Sequence, residues 1–137
     1  MPPAPGSRSM ARLPPERVDL ARLSGPGLRA FFNLGDAWGL SCQEQMDLLG
    51  GVSKSTLRRW QRGRVPVLNL DRLERISHLL GIHKSLRILL PTSGSSWVRR
   101  PNSSPMFGGR PPLQLMMAGG ITWLHRVRIY LDGQRMG

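Results

Sequence analysis

Apolar residues recur along this chain at spacings of three and four, and Gly or Pro closes each run. That pattern predicts an all-α fold of short amphipathic helices. Glu16–Leu23 reads as a short helix, broken at Gly25-Pro26-Gly27. Leu28–Gly39 reads as the next, with Leu28, Phe31, Phe32 and Leu34 on one face and Gly39 as the stop. Ser41-Cys42-Gln43-Glu44 fits the S-x-x-E capping box and opens a helix that turns Met46 and Leu49 inward and ends at Gly50-Gly51. Ser53 is the next N-cap, with Val52 and Leu57 at the two staple positions, and its helix stops at Gly63. Two short helices joined by a tight glycine turn make a helix-turn-helix. Asn69 caps a further helix in which Leu70, Leu73, Ile76 and Leu79 form the stripe and Gly81 the end. His83–Leu90 is then a shorter apolar helix ended by Pro91, completing a bundle of about five helices.

The remaining chain is organised differently. Met1 to about Pro15 holds five prolines and few large apolar residues, so positions 1–19 are expected to be a disordered arm. The helix-turn-helix unit is placed at 20–91 and a second helical unit at 92–137. Thr92–Ser96 reads as a polar linker, and Trp97–Pro112 is rich in Pro, Gly and Ser. Pro111 and Pro112 start a helix through Met117, Gly119-Gly120 turns the chain, and Ile121–Leu131 forms the last helix on Leu124, Val127 and Leu131. Asp132–Gly137 reads as a short polar tail. This second unit is too small to be stable alone and must dock on the first bundle, a twin subunit or a partner.

Charge sharpens the picture. Twenty Lys and Arg against eight Asp and Glu give a formal net charge of +12, which favours a polyanionic partner, nucleic acid before an anionic membrane. Nearly all the cations are Arg, which suits bidentate phosphate and guanine contacts and also fits a GC-rich codon bias. At 100° per residue Leu57 and Trp60 share the inner side of the second helix of the motif, while Ser55, Arg58, Arg59 and Arg62 point outward beside Lys54. No acid lies between Leu48 and Leu70. An outer basic face over an apolar anchor is what a recognition helix needs in the major groove. Ser55 and Arg59 are assigned as base readers, with Thr56 beside them; Lys54, Arg58, Arg62 and Arg64 are assigned to phosphates, and Gln43 as a further phosphate donor. A homodimer on paired half-sites is expected of such a module.

Little points to catalysis, and no cofactor, metal or small-molecule substrate is expected. His78, His83 and His125 lack chelating spacing, and Cys42 is a lone helical cysteine. None of the Gly-Gly pairs belongs to a phosphate-binding loop motif. No transmembrane run and no signal-peptide core is visible, so a cytoplasmic location without a membrane partner is expected.

From about Leu20 to the end, the chain resembles the Xre/MbcA/ParS antitoxin family. LARLSGPGLRAFFNLGDAWGLSCQEQMDLLGG followed by VSKSTLRRWQRGR resembles its Xre-like helix-turn-helix. WVRRPN, MFGGRPPLQLM and GGITWLHRVRIYLD resemble its toxin-binding domain, and their order and spacing are the more specific signal. The resemblance implies a RES-domain toxin, encoded by the adjacent gene, that consumes NAD; an antitoxin that covers the toxin's NAD cleft; and a complex that represses its own operator. By motif it assigns Trp97, Pro101, Asn102, Phe107, Gly108, Gly109 and Pro112 to the toxin-binding domain. Met106, Arg126 and Tyr130 join the expected toxin-binding set, and Gln134, Arg135, Met136 and Gly137 at the tail are expected to reach the toxin's cleft. A stand-alone helix-turn-helix regulator, with a second unit that only dimerises, is the alternative.

Overall fold

In the computed structural model, residues 15–137 are described, with side chains from Asp19 onward. The expected arm lies outside the described residues up to position 14, and positions 15–19 already belong to the first helix. The described elements are α1 (Pro15–Trp38), α2 (Cys42–Leu48), α3 (Lys54–Gln61), α4 (Leu70–Leu89), α5 (Gly94–Trp97) and α6 (Pro112–Met136). The all-α expectation holds among these residues.

Two predicted breaks are absent. The helix does not stop at Gly25-Pro26-Gly27; α1 runs through it. An interior Pro loses one backbone hydrogen bond and costs about 3 kcal/mol. Packing outweighs that cost, because Leu28, Phe31, Leu34 and Trp38 of α1 are all buried. Ser24, also buried, steadies the same turn: its hydroxyl donates to the Leu20 carbonyl and accepts from the Leu68 N–H at 2.9 Å. Likewise α4 does not end at Gly81. It continues to Leu89 and merges the two helices expected there, since Ile76, Leu79, Ile82 and Leu86 keep one buried stripe across the glycine. Leu70, placed in that stripe by its spacing, lies in the first turn and is half exposed.

Helix α4 is the spine. It packs most extensively on α6, next on α1, and the short α5 folds back against it. The predicted break at Gly119-Gly120 is real. Gly120 has φ 66° and ψ −155°, a conformation closed to residues with a Cβ, so α6 is two helical segments joined at a kink. The second segment buries Leu124, Val127 and Leu131 as expected. It does not end at Leu131, however: Asp132–Met136 continue the helix. Ser85 of α4, wholly buried, explains part of this. Its hydroxyl donates to Asp132 Oδ1 at 3.2 Å and lies 3.5 Å from the Arg135 guanidinium.

One side chain joins the later part of the chain to the helix-turn-helix. Arg99, just past α5, donates to both carboxylate oxygens of Glu44 in α2, at 2.7 and 2.9 Å. It also donates to the carbonyls of Gly39 at 2.7 Å and Trp38 at 3.4 Å, which end α1. Glu44 meanwhile accepts the Ser41 N–H at 2.8 Å, completing the capping box read from the sequence. The Arg99 hydrogen bonds hold the Glu44 carboxyl down to about 2, with help from the Ser41 backbone and against the opposing effect of burial.

A carboxyl with a depressed folded pKa stabilises the fold above its unfolded pKa, and that stabilisation is lost as pH falls through the folded value. For Glu44 the window runs from about 4.5 down to about 2. Burial also lowers the His83 and His78 pKa, so protonating them opposes folding and acts earlier, below about 6.5. Denaturant titrations are expected to show stability falling in these two stages. Arg99→Met should cost about 1–2 kcal/mol at neutral pH, after allowance for the exposure of the pair, and should flatten the lower stage.

Candidate nucleic-acid and partner interfaces

Helices α2 and α3 meet through Leu49–Ser53. Gly50 and Gly51, with φ 94° and 89°, make the turn, which needs left-handed residues at both positions. Ser53 caps α3 by accepting the Thr56 N–H at 3.2 Å. Its hydroxyl donates to Thr56 Oγ1 at 2.9 Å and sits 3.2 Å from that of Ser55. Val52, Leu57 and Trp60 are buried, so the inner anchor forms as read.

The outer face then follows. Lys54, Ser55, Arg58, Arg59, Arg62 and Arg64 are all exposed. Among the described residues, no carboxylate lies within ion-pair distance of any of the five cations. Their charge is left for an external anion. Arg59 donates to Thr56 Oγ1 at 3.1 Å, so Thr56, half-buried, links the cap to the arginine. Gln43, exposed on α2, donates one amide hydrogen to Asp47 Oδ1 at 2.9 Å and keeps its other. Arg72 was not expected here; its guanidinium stands 5.7 Å over the Trp60 ring from α4, a contact that no spacing within α3 could signal.

The second surface is built on aromatic rings. Trp97 stacks on Tyr130, with centroids 6.5 Å apart, and meets the edge of Phe107 at 5.8 Å. Phe107 is edge-on to Tyr130 at 5.2 Å and is almost wholly buried, so it shapes this corner from within. Asn102 closes the loop carrying these residues. Its side chain accepts the Ser104 N–H at 2.9 Å, and its backbone pairs with Gly109 and Arg110. Pro112 is buried at the start of α6, and Met106 is half-buried against the cluster. Pro101, Gly108 and Gly109 are exposed on the same loop.

The structure adds Trp123 to this group. It packs 6.5 Å from Phe107, and the Arg126 guanidinium lies 5.0 Å above its ring. Its place in GGITWLHRVRIYLD was a hint, but the spacing alone did not set it facing Phe107. Arg126, Gln134, Arg135, Met136 and Gly137 are exposed, Met136 at 90 %. They form the outer side and the tip of a helix rather than a tail leaving it.

The set-aside chemistry has plain places. His83 Nδ1 accepts the Trp38 indole N–H at 3.1 Å, and the rings of His78 and His125 meet edge-on at 5.2 Å. Cys42 is half-buried at the start of α2. Among the described residues, no three of His, Cys, Asp or Glu are grouped to hold a metal, and no helix is long and apolar enough to cross a membrane.

A glycine-turned helix pair with a basic outer helix, built onto a second helical unit with an aromatic corner, defines a helix-turn-helix DNA-binding protein. Residues 17–81 match the antitoxin Xre-like helix-turn-helix domain, and residues 85–137 match the antitoxin Xre/MbcA/ParS C-terminal toxin-binding domain. The chain belongs to the Xre/MbcA/ParS antitoxin family. It is also similar to uncharacterized protein y4oB of Sinorhizobium fredii (strain NBRC 101917 / NGR234), with 42% identity over 114 residues covering 80% of this chain and 84% of that one. The two matched segments meet within α4, between residues 81 and 85.

Removing the α3 cap tests how the outer face is held. Ser53→Ala should cost about 1 kcal/mol of stability in thermal or chemical unfolding. Thr56→Val should cost less, while freeing Arg59 to sample more rotamers in side-chain NMR.

Proposed function

We propose that this antitoxin neutralises a NAD-consuming RES-domain toxin encoded by the adjacent gene. It does so by covering the toxin's active site. As a homodimer it also binds operator DNA and represses its own operon. The observation that carries this reading is that five cations on and just past α3, without an ion-pair partner among the described residues, stand beside a C-terminal unit of the toxin-binding family on one shared core.

On DNA, Ser55 and Arg59 read base edges, with Arg59 steadied by Thr56. Lys54, Arg58, Arg62 and Arg64 bind phosphates and set the register, and Gln43 adds a donor from α2. On the toxin side, Trp97, Met106, Tyr130 and Arg126 form the contact surface, while Asn102 and Phe107 hold its shape. The end of α6, with Gln134, Arg135, Met136 and Gly137, enters the NAD cleft as a helical tip. Its exposure supports that role.

In operator titrations, Arg59→Ala should lose about 1–3 kcal/mol and relax preference at one base pair. Arg62→Ala should weaken all sequences alike and lower the salt slope by about one. Loss of preference in both variants, or in neither, would refute this division of roles.

Co-expression tests the toxin. Bacteria expressing the neighbouring gene alone should lose NAD and stop growing, and both should recover when this chain is added. Deleting Asp132–Gly137 should leave operator binding intact and weaken protection. Absence of protection by the full chain would favour a regulator without a toxin partner.

A further inference from the structure

A trench of about 520 Å³ runs between α1 and α4. Leu23 and Pro26 wall it on α1, and Leu73 and Leu80 on α4; Lys84 stands at the last turn of α4 that lines it, and Arg128 of α6 borders it over Gly81. From Leu73 to Lys84 it follows three turns of α4, about 16 Å. Leu23 is half exposed, so apolar surface is left open to water along this length. Gly27 and Leu23 lie on the side of α1 opposite to Arg29 and Phe32, which face the end of α3. An occupant of the trench therefore leaves the recognition helix free.

Arg128 crosses α4 where Gly81 has no side chain; a Cβ there would come within 2.5 Å of Arg128 Nε. Arg128 Nη1 donates to the Ser77 carbonyl at 3.3 Å, which holds the guanidinium alongside the trench. A second cleft continues past Lys84 and Arg128 to Arg135. Among the described residues, the one carboxylate lining it, Asp132, already accepts from Ser85.

We infer that this trench takes an acidic amphipathic helix supplied by the toxin, its apolar face on Leu23, Leu73 and Leu80 and its carboxylates on Lys84 and Arg128. Length, apolar walls and two bordering cations together fit that occupant. A second copy of this chain offers few carboxylates for Lys84 and Arg128, with eight Asp and Glu against twenty Lys and Arg. Continuity points to the toxin: Arg128 and Arg135 lie in the segment matching the toxin-binding domain, so the trench opens into that unit. The inference rests on the proposed function, since it takes the toxin as the partner.

The test uses the full chain and the toxin from the neighbouring gene. Leu23→Glu with Lys84→Glu changes two exposed side chains, which spares the core. Calorimetric titration should show toxin affinity falling at least tenfold, with Tm and operator affinity held. Rising salt should weaken wild-type binding more than variant binding. If the double variant binds the toxin as wild type does, the trench is not the docking site and the proposed function still stands. If toxin affinity is unchanged but sedimentation shows a wild-type dimer dissociating, a second copy occupies the trench and the inference fails. If wild type does not bind the toxin at all, both the inference and the proposed function fall.

Discussion

The forked contact of Arg99 is the constraint on which the arrangement of the rest depends. One guanidinium satisfies the last carbonyls of α1 and both oxygens of Glu44, whose carboxylate completes the capping box of α2. Helix ends leave backbone groups without partners, and here a single planar cation serves two such ends at once. The residue comes from the segment matching the toxin-binding domain. The helix-turn-helix is therefore completed by a side chain from outside its own matched segment. This explains why the two family segments, though separable in sequence, pack round one core with α4 through both.

What the sequence revealed clearly was local. The capping box at Ser41, the Ser53 cap, the Gly50-Gly51 turn and the kink at Gly119-Gly120 are each set by a few adjacent residues, and each stands in the structure. The errors fell where tertiary packing overrides local preference. Pro26 and Gly81 are helix breakers by propensity, yet each lies in a helix held by a long buried stripe on either side. The end of α6 departs from its local sequence pattern for a similar reason. A polar run with a glycine looks loose until Ser85, far away in sequence, supplies a partner.

The candidate sites divide the same way. The basic face of α3 follows from the 100° period and could be read directly, because it concerns one helix. The aromatic corner draws on α5, the loop after it and two parts of α6. Membership of Trp97, Phe107 and Tyr130 came through family resemblance, whereas Trp123 and the Arg72 stack needed the packed chain. Long-range aromatic and cationic contacts have no fixed sequence separation, so no periodicity announces them.

The helical end of α6 has a thermodynamic consequence. Ordering a loose backbone costs about 1–2 kcal/mol per residue, and a disordered tail meets that cost at the moment of contact. Asp132–Met136 meet it during folding, with Asp132 and Arg135 moored to α4. A partner meeting this tip finds it preorganised, so more of the contact energy remains as affinity and complexes should separate slowly.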